Sequence, residues 1–267
     1  MNDRVRLHLA DGLATVTLTR PDKHNGIDFE MIDEVLGTIR KLSRTPDLRA
    51  AIIHGDGPSF CAGLDFKSVL AKPVKAALGF TALWSPVRNK FQEWSMGWRD
   101  LPFPVIAAVH GNCFGGGIQL ALGADIRFAA PDAKISVMES KWGLVPDMGG
   151  AALLRELVGI DVAKELCFTS RILSGTEAHA LKLVTHVADD PLAAAKALAA
   201  EIVTRSPDAV ASAKFLLQHA WNAGESSTLA QERRRQRRLL GSRNQKISVE
   251  RNMKKKDTPF ASRRVRS

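Results

Sequence analysis

Two short apolar runs, each ending in a glycine-rich turn, constrain this chain more than anything else in it. Residues 50–54, Ala-Ala-Ile-Ile-His, lead into Gly55-Asp-Gly-Pro-Ser-Phe-Cys-Ala-Gly63. Residues 105–109, Val-Ile-Ala-Ala-Val, lead into His110-Gly-Asn-Cys-Phe-Gly-Gly-Gly117. A short run without polar alternation reads as a strand buried on both faces, the kind found inside a parallel sheet. Each turn gives way to helical text, the second through Ile118, Leu120, Ala121 and Leu122. Residues 126–129 and 135–137 read as two further short strands. Strand, turn and helix returning in this order predict an α/β fold of stacked ββα units.

The text on either side fits that core. Residues 1–9 alternate apolar and polar positions, Asp11-Gly12 turns the chain, and Ala14, Val16 and Leu18 resume the alternation, a β-hairpin signal. Asp28 is placed to cap a helix whose apolar stripe is Ile32, Val35, Leu36, Ile39 and Leu42. Pro73, Gly79 and Pro86 break the region 66–90, which predicts a mobile loop or broken helices near a ligand entrance. From Gly149 onward the text is helical, over 150–168, 175–183, 190–205, 207–222 and 226–246, with a short strand at 183–187. The reading therefore divides the chain into a core over 1–195 and a helical region over 196–267.

Three scattered cysteines with no CxxC pair fit reduced thiols and a cytoplasmic location, and no apolar run approaches the ~20 residues of a membrane span. The net charge of +10 is concentrated near the C-terminus, in Arg233–Arg235, Arg237–Arg238, Lys254–Lys256 and Arg263–Arg266. Such runs suit nucleic acid, a solvated helix face or a small polyphosphate ligand, and charge alone does not choose among them. The seven histidines show no metal-like clustering.

The glycine-rich turns carry the chemistry. Glycine allows close backbone approach, so turns of this kind present N–H groups to a ligand, and a helix starting there adds its own unpaired N–H groups. Two such turns on successive repeats could aim one donor each at a single oxygen, an oxyanion hole. The glycine motifs of dinucleotide folds and P-loops do not fit, and GxSxG and HExxH are absent.

Ser59-Phe-Cys-Ala-Gly-Leu-Asp65 resembles the first oxyanion signature of the crotonase (enoyl-CoA hydratase/isomerase) superfamily. Residues 104–117 resemble the second, followed by Ala124-Asp-Ile-Arg127. The resemblance covers nearly the whole chain. It implies a crotonase-like spiral with a C-terminal helical oligomerisation region, a trimer or a dimer of trimers, and an acyl-coenzyme A substrate. It implies no metal and no resident cofactor, because coenzyme A arrives with the substrate; nucleic acid and membrane are not favoured as partners. By position the oxyanion donors are the N–H groups of Leu64 and Gly116. Lys23 and His24, with Ala62 and Asp65, fall where the family holds the coenzyme, and Phe260 and Arg263 resemble an aromatic-plus-basic pair that reaches it, often across a subunit boundary.

The choice of reaction depends on the acids. Hydratases of the family use two glutamates; the first of those positions holds Gln119 here and the second Glu139. An amide is no general base in the usual pH range. Beyond Trp142-Gly-Leu-Val-Pro146 stands Asp147, and a Glu and Asp at this spacing resemble the pair of dienoyl-CoA isomerases, which carry a third acid where this chain has Gln119. Taken alone, Glu139 reads as a surface residue and Asp147 as a helix N-cap before Gly149-Gly150. In the family register they become a proton shuttle with Trp142 and Val145 as an apolar wall. The expectation is isomerisation of an enoyl- or dienoyl-CoA, with hydration of a 2-enoyl-CoA, or a catalytically silent acyl-CoA or nucleic-acid binder, as alternatives. Phe80, Trp84, Phe91, Trp94 and Trp98 are candidate pocket lining, with core packing the better reading for most of them.

Overall fold

A computed structural model describes residues 4–266; residues 1–3, which begin the first alternating run, and residue 267 lie outside the described residues. The chain opens with the hairpin of β1 (Val5–Ala10) and β2 (Leu13–Leu18), in a register that pairs Val5 with Leu18 and Ala10 with Leu13. Then come α1 (Phe29–Ser43), β3 (Ala50–Gly55), α2 (Phe66–Leu70), α3 (Pro73–Thr81) and α4 (Lys90–Arg99). The second repeat is β4 (Val105–Val109), β5 (Asn112–Phe114) and α5 (Gly116–Leu122), followed by β6 (Ile126–Ala129) and β7 (Lys134–Ser136). The remainder is α6 (Gly150–Leu157), α7 (Ile160–Thr169), α8 (Gly175–Ala180), β8 (His186–Val187), α9 (Pro191–Val203), α10 (Pro207–Ala220), α11 (Glu225–Leu239) and α12 (Arg243–Lys254).

One sheet runs β1-β2-β3-β4-β6-β8, antiparallel only at the first pair. A second, shorter ladder pairs β5 with β7 and continues through the bridges Cys61–Cys113, Ile27–Leu64 and Ile135–Leu173. Each pass of the chain thus contributes first to the large sheet and then to the small ladder before a helix begins, which is the expected spiral. The glycine-rich turns lie where the chain leaves one sheet for the other.

β3 and β4 are apolar throughout because both faces are covered. Ala51, Ile53, Val105, Ala107 and Val109 face the core that α1, α4 and α5 complete. Ala50, Ile52, Ile106 and Ala108 face the opposite way and meet Ala195 and Ala199 of α9. Asp28 caps α1 as the sequence reading expects, its Oδ1 accepting the Met31 N–H at 2.8 Å.

Several boundaries differ from the reading. Residue 195 falls inside α9, whose Ala195 and Ala199 pack on the sheet. The helix expected over 150–168 is two, parted at Val158-Gly159, and the one over 226–246 is α11 and α12, parted at Gly241, whose φ is +74°. The interrupted region 66–90 is the short α2 and α3 with a 3₁₀ turn at Ala82–Trp84. The C-terminal segment is tied down by buried Asp208, which accepts from Asn244 Nδ2 (2.7 Å) and from the Arg264 and Val265 N–H groups (2.6 and 3.0 Å).

Candidate active site

The two turns meet. A methyl group placed on Gly63 would stand 2.7 Å from the Phe114 carbonyl oxygen and 3.7 Å from the Gly116 nitrogen. Ile27 bridges Leu64 by donating to the Gly63 oxygen (2.8 Å) and accepting from the Asp65 N–H (2.9 Å). Peptide groups alternate along an extended strand, so the Leu64 N–H between them points the other way. Gly116 begins α5, where an N–H has no intrahelical acceptor. Among the described residues neither the Leu64 nor the Gly116 N–H has a hydrogen-bond partner. Gly115 makes the geometry possible with φ +51° and ψ −119°, a backbone region closed to other residues. Trp94, fully buried, donates from Nε1 to the Gly116 oxygen at 2.9 Å and holds that peptide in orientation.

The free N–H groups open on a cleft of about 140 Å³. It is lined by Ala62, Gly63, Leu64 and Phe66 and by Phe114 to Gly116. Met138, Glu139, Trp142, Leu144, Asp147 and Met148 complete the lining. Leu64, Gly116, Glu139 and Asp147 are therefore brought together, with Ala62 beside them. Trp142 stacks against Phe66 at 4.6 Å between ring centroids. Val145, expected beside Trp142, projects outward at 71% exposure, and Leu144 takes its place in the wall.

Glu139 opens a 3₁₀ turn, Glu139–Trp142, and is buried, not a surface residue. Burial pushes its carboxyl up from the ordinary value, and nearby Asp147 adds to the rise, while the Gln119 amide opposes it. Asp147 caps no helix: the N-cap of α6 is Gly149, and no side chain caps it. Asp147 stands open toward the cleft mouth, yet the surrounding wall still raises its carboxyl by desolvation. Gln119 is 1% exposed; it joins Glu139 to the backbone on either side of Gly149, through Glu139 Oε1 (2.5 Å) and the Met148 and Gly150 N–H groups (both 2.9 Å). A Gln in a helix bearing apolar neighbours gave no sequence signal of that bridge. Met138 and Met148 were also missed as lining, although each adjoins a named acid.

Lys23 and His24 form an exposed turn in which the His24 carbonyl accepts the Ala62 N–H at 2.9 Å, so the turn is joined to the oxyanion strand. Asp65 is engaged in structure: it caps α2 through the Ser68 N–H and pairs with Arg20 at 2.8 Å. Phe260 lies between the guanidinium groups of Arg49 and Arg251. Arg263 is buried against the Phe103 ring. Neither lines the cleft of its own chain. Trp94 and Trp98 are core, and Phe80 packs edge-on to Trp84 on the surface, so these four are not pocket lining.

The family model for enoyl-CoA hydratase/isomerase matches residues 8–263. The chain belongs to this family, within the crotonase superfamily. It is 37% identical over 213 residues to the human mitochondrial Delta(3,5)-Delta(2,4)-dienoyl-CoA isomerase, covering 77% of this chain and 65% of that protein, just under two thirds of its length. It is 32% identical over 235 residues to the 1,2-epoxyphenylacetyl-CoA isomerase of Escherichia coli, covering 86% of each. An enoyl-CoA hydratase of Polaromonas superposes with a TM-score of 0.86 at 28% identity, over 96% of this chain and 99% of that one. Relatives with an enoyl-CoA hydratase/isomerase fold thus bear names of different reactions. Among the described residues no helix is long and apolar enough to cross a membrane.

Proposed function

We propose that this member of the family isomerises an unsaturated acyl-CoA, moving the double bonds of a 3,5-dienoyl thioester to the 2,4 positions. The observation that carries the reading is the pair Glu139 and Asp147 on one wall of the cleft that the free Leu64 and Gly116 N–H groups enter. Those N–H groups would hold the thioester oxygen as its charge develops, making the C2 proton acidic. One carboxylate takes that proton, the electrons of the resulting trienolate shift along the chain, and the other carboxyl returns a proton to C6; nothing is gained or lost overall. Both carboxyls are raised by burial, which suits a pair in which one must be ionised and the other protonated.

Hydration needs a second group to activate water, and the position of Gln119 offers none. Its oxygen already accepts two N–H groups and its nitrogen is turned to Glu139. The test compares a 3,5-dienoyl-CoA with a 2-enoyl-CoA in purified protein, with Asp147→Asn as control. Dienoyl conversion that incorporates no oxygen-18 from water, and that falls about 10²-fold or more in the variant, is expected. Hydration of the enoyl substrate that ignores Asp147 would mean that Glu139 acts without it, and isomerisation would be the wrong reaction.

The assembly proposed is a trimer or a dimer of trimers, with Phe260 near a neighbouring subunit's cleft and Arg263, buried against Phe103, fixing the C-terminal segment that carries it. Ile160, Phe168 and Val145 support it, each more than two thirds exposed, a condition apolar side chains of this size keep best under a partner. Light scattering should give at least three chains per particle; a monomer at micromolar concentration would remove the assembly. The proposed location is the cytoplasm, from three unpaired thiols.

A further inference from the structure

Gln119 performs no proton chemistry of its own, yet it touches Glu139 and the backbone that follows Asp147. Its importance there rests on the reading of Glu139 as a proton-moving group. The Gln119 Oε1 accepts the Met148 and Gly150 N–H groups at 2.9 Å each. An amide end that faces two N–H donors has to be the oxygen, so the backbone itself decides which way this amide points. Its Nε2 then faces Glu139 and donates to Oε1 at 2.5 Å. The carbonyl oxygen of a neutral carboxyl accepts more strongly than its hydroxyl oxygen, so the Gln119 donor keeps the carbonyl at Oε1 and leaves the proton to Oε2. The other oxygen, Oε2, is buried and has no partner among the described residues.

We propose that Gln119 is a positioning residue that confines the exchangeable proton of Glu139 to Oε2 and locks Glu139 to the turn carrying Asp147. Asp147 directly precedes Met148, so the backbone N–H groups that fix the amide belong to the same turn as the second acid. A proton on Oε1 would weaken the Gln119 contact, and a rotation of the carboxyl would meet the same nitrogen, so the acid favours one oxygen for its proton. The titratable groups facing Glu139 are Asp147, from that turn, and Cys167, from α7. Gln119 contributes a donor without a charge.

Two variants test this without any substrate. Gln119→Glu keeps the shape of the side chain; one of its oxygens still accepts from Met148 and Gly150, but the other meets Glu139 Oε1 and the pair must share a proton. Gln119→Leu removes the donor and adds no charge. Carbon-13 NMR of protein labelled at the glutamate carboxyl, with the Glu139 signal assigned by its loss in Glu139→Gln, reads the midpoint in the free enzyme. The expected result is a rise of about one pH unit or more in Gln119→Glu and a smaller rise in Gln119→Leu. Midpoints equal to the wild type's overturn the proposal; if Gln119→Leu fails to fold, Gln119→Glu decides. At least one limb of the kcat/KM profile should move with the NMR midpoint while KM stays near its original value. A midpoint that moves while both limbs stay would uphold this role for Gln119 and overturn instead the assignment of Glu139 to proton transfer.

Discussion

Glu139→Gln should lower kcat on a 3,5-dienoyl-CoA by about 10³-fold, within the 10²–10⁴ that a positioned acid or base contributes. The amide fills the same volume, so the fold should survive, but it neither takes nor returns a proton. The new side chain would present a nitrogen or an oxygen to Gln119 Nε2, and only the oxygen is compatible, so the amide has one orientation and KM should change little. Single-turnover measurement separates the chemical step from product release. The wild-type profile of kcat/KM against pH should be a bell. As pH falls, both carboxyls become protonated and no base remains; as pH rises, both ionise and no acid remains. Burial raises both Glu139 and Asp147, so both limbs should lie above the ordinary carboxylate range. They belong to the coupled pair, not to either residue. Full activity in Glu139→Gln, or an acid limb at an ordinary carboxylate pKa, would count against a buried carboxyl as the proton carrier.

The parts of this arrangement that were legible in the sequence are those fixed by local chemistry. The two glycine-rich turns, and α1 with Asp28 and a helical apolar stripe, are of that kind, while Leu64 and Gly116 were singled out within the turns only by position in the family. Glu139 and Asp147 were legible only in the register of the family, because alone each fits an ordinary surface role. What was not legible depends on groups distant in the chain. Asp65 falls on a coenzyme-contact position in the family register, and only the fold brings Arg20 beside it. Leu144 and Val145 are adjacent apolar residues, and only the left-handed Gly143, which ends the 3₁₀ turn, decides which of them faces the cleft. The bridge made by Gln119 joins two segments some twenty to thirty residues away, and no period or spacing announces it.

The other large effect expected is that of a single methyl group, in Gly117→Ala. Gly117 sits in the first turn of α5 with ordinary helical backbone, so conformation alone would welcome alanine. Packing forbids it: the new Cβ would lie 2.2 Å from the Cys61 carbonyl oxygen and 3.0 Å from the Cys61 Cβ. That carbonyl cannot give way cheaply, since it accepts the Phe114 N–H at 3.0 Å and so holds the two oxyanion turns together. Relief requires the start of α5 to move away from residues 61–64, which separates the Gly116 N–H from that of Leu64. The variant should therefore lose about 3 kcal/mol of stability, at the upper end of overpacking costs, and about 10²-fold in kcat from a misplaced donor. Gly143→Ala is the contrasting case: its φ is +69° but nothing lies within 4 Å, so only backbone strain of about 1 kcal/mol should appear. Urea unfolding of the two variants beside the wild type measures the difference. Equal losses in both would mean that the approach of α5 to Cys61 is looser than the contact distance implies, and that the spacing of the two N–H groups is set elsewhere.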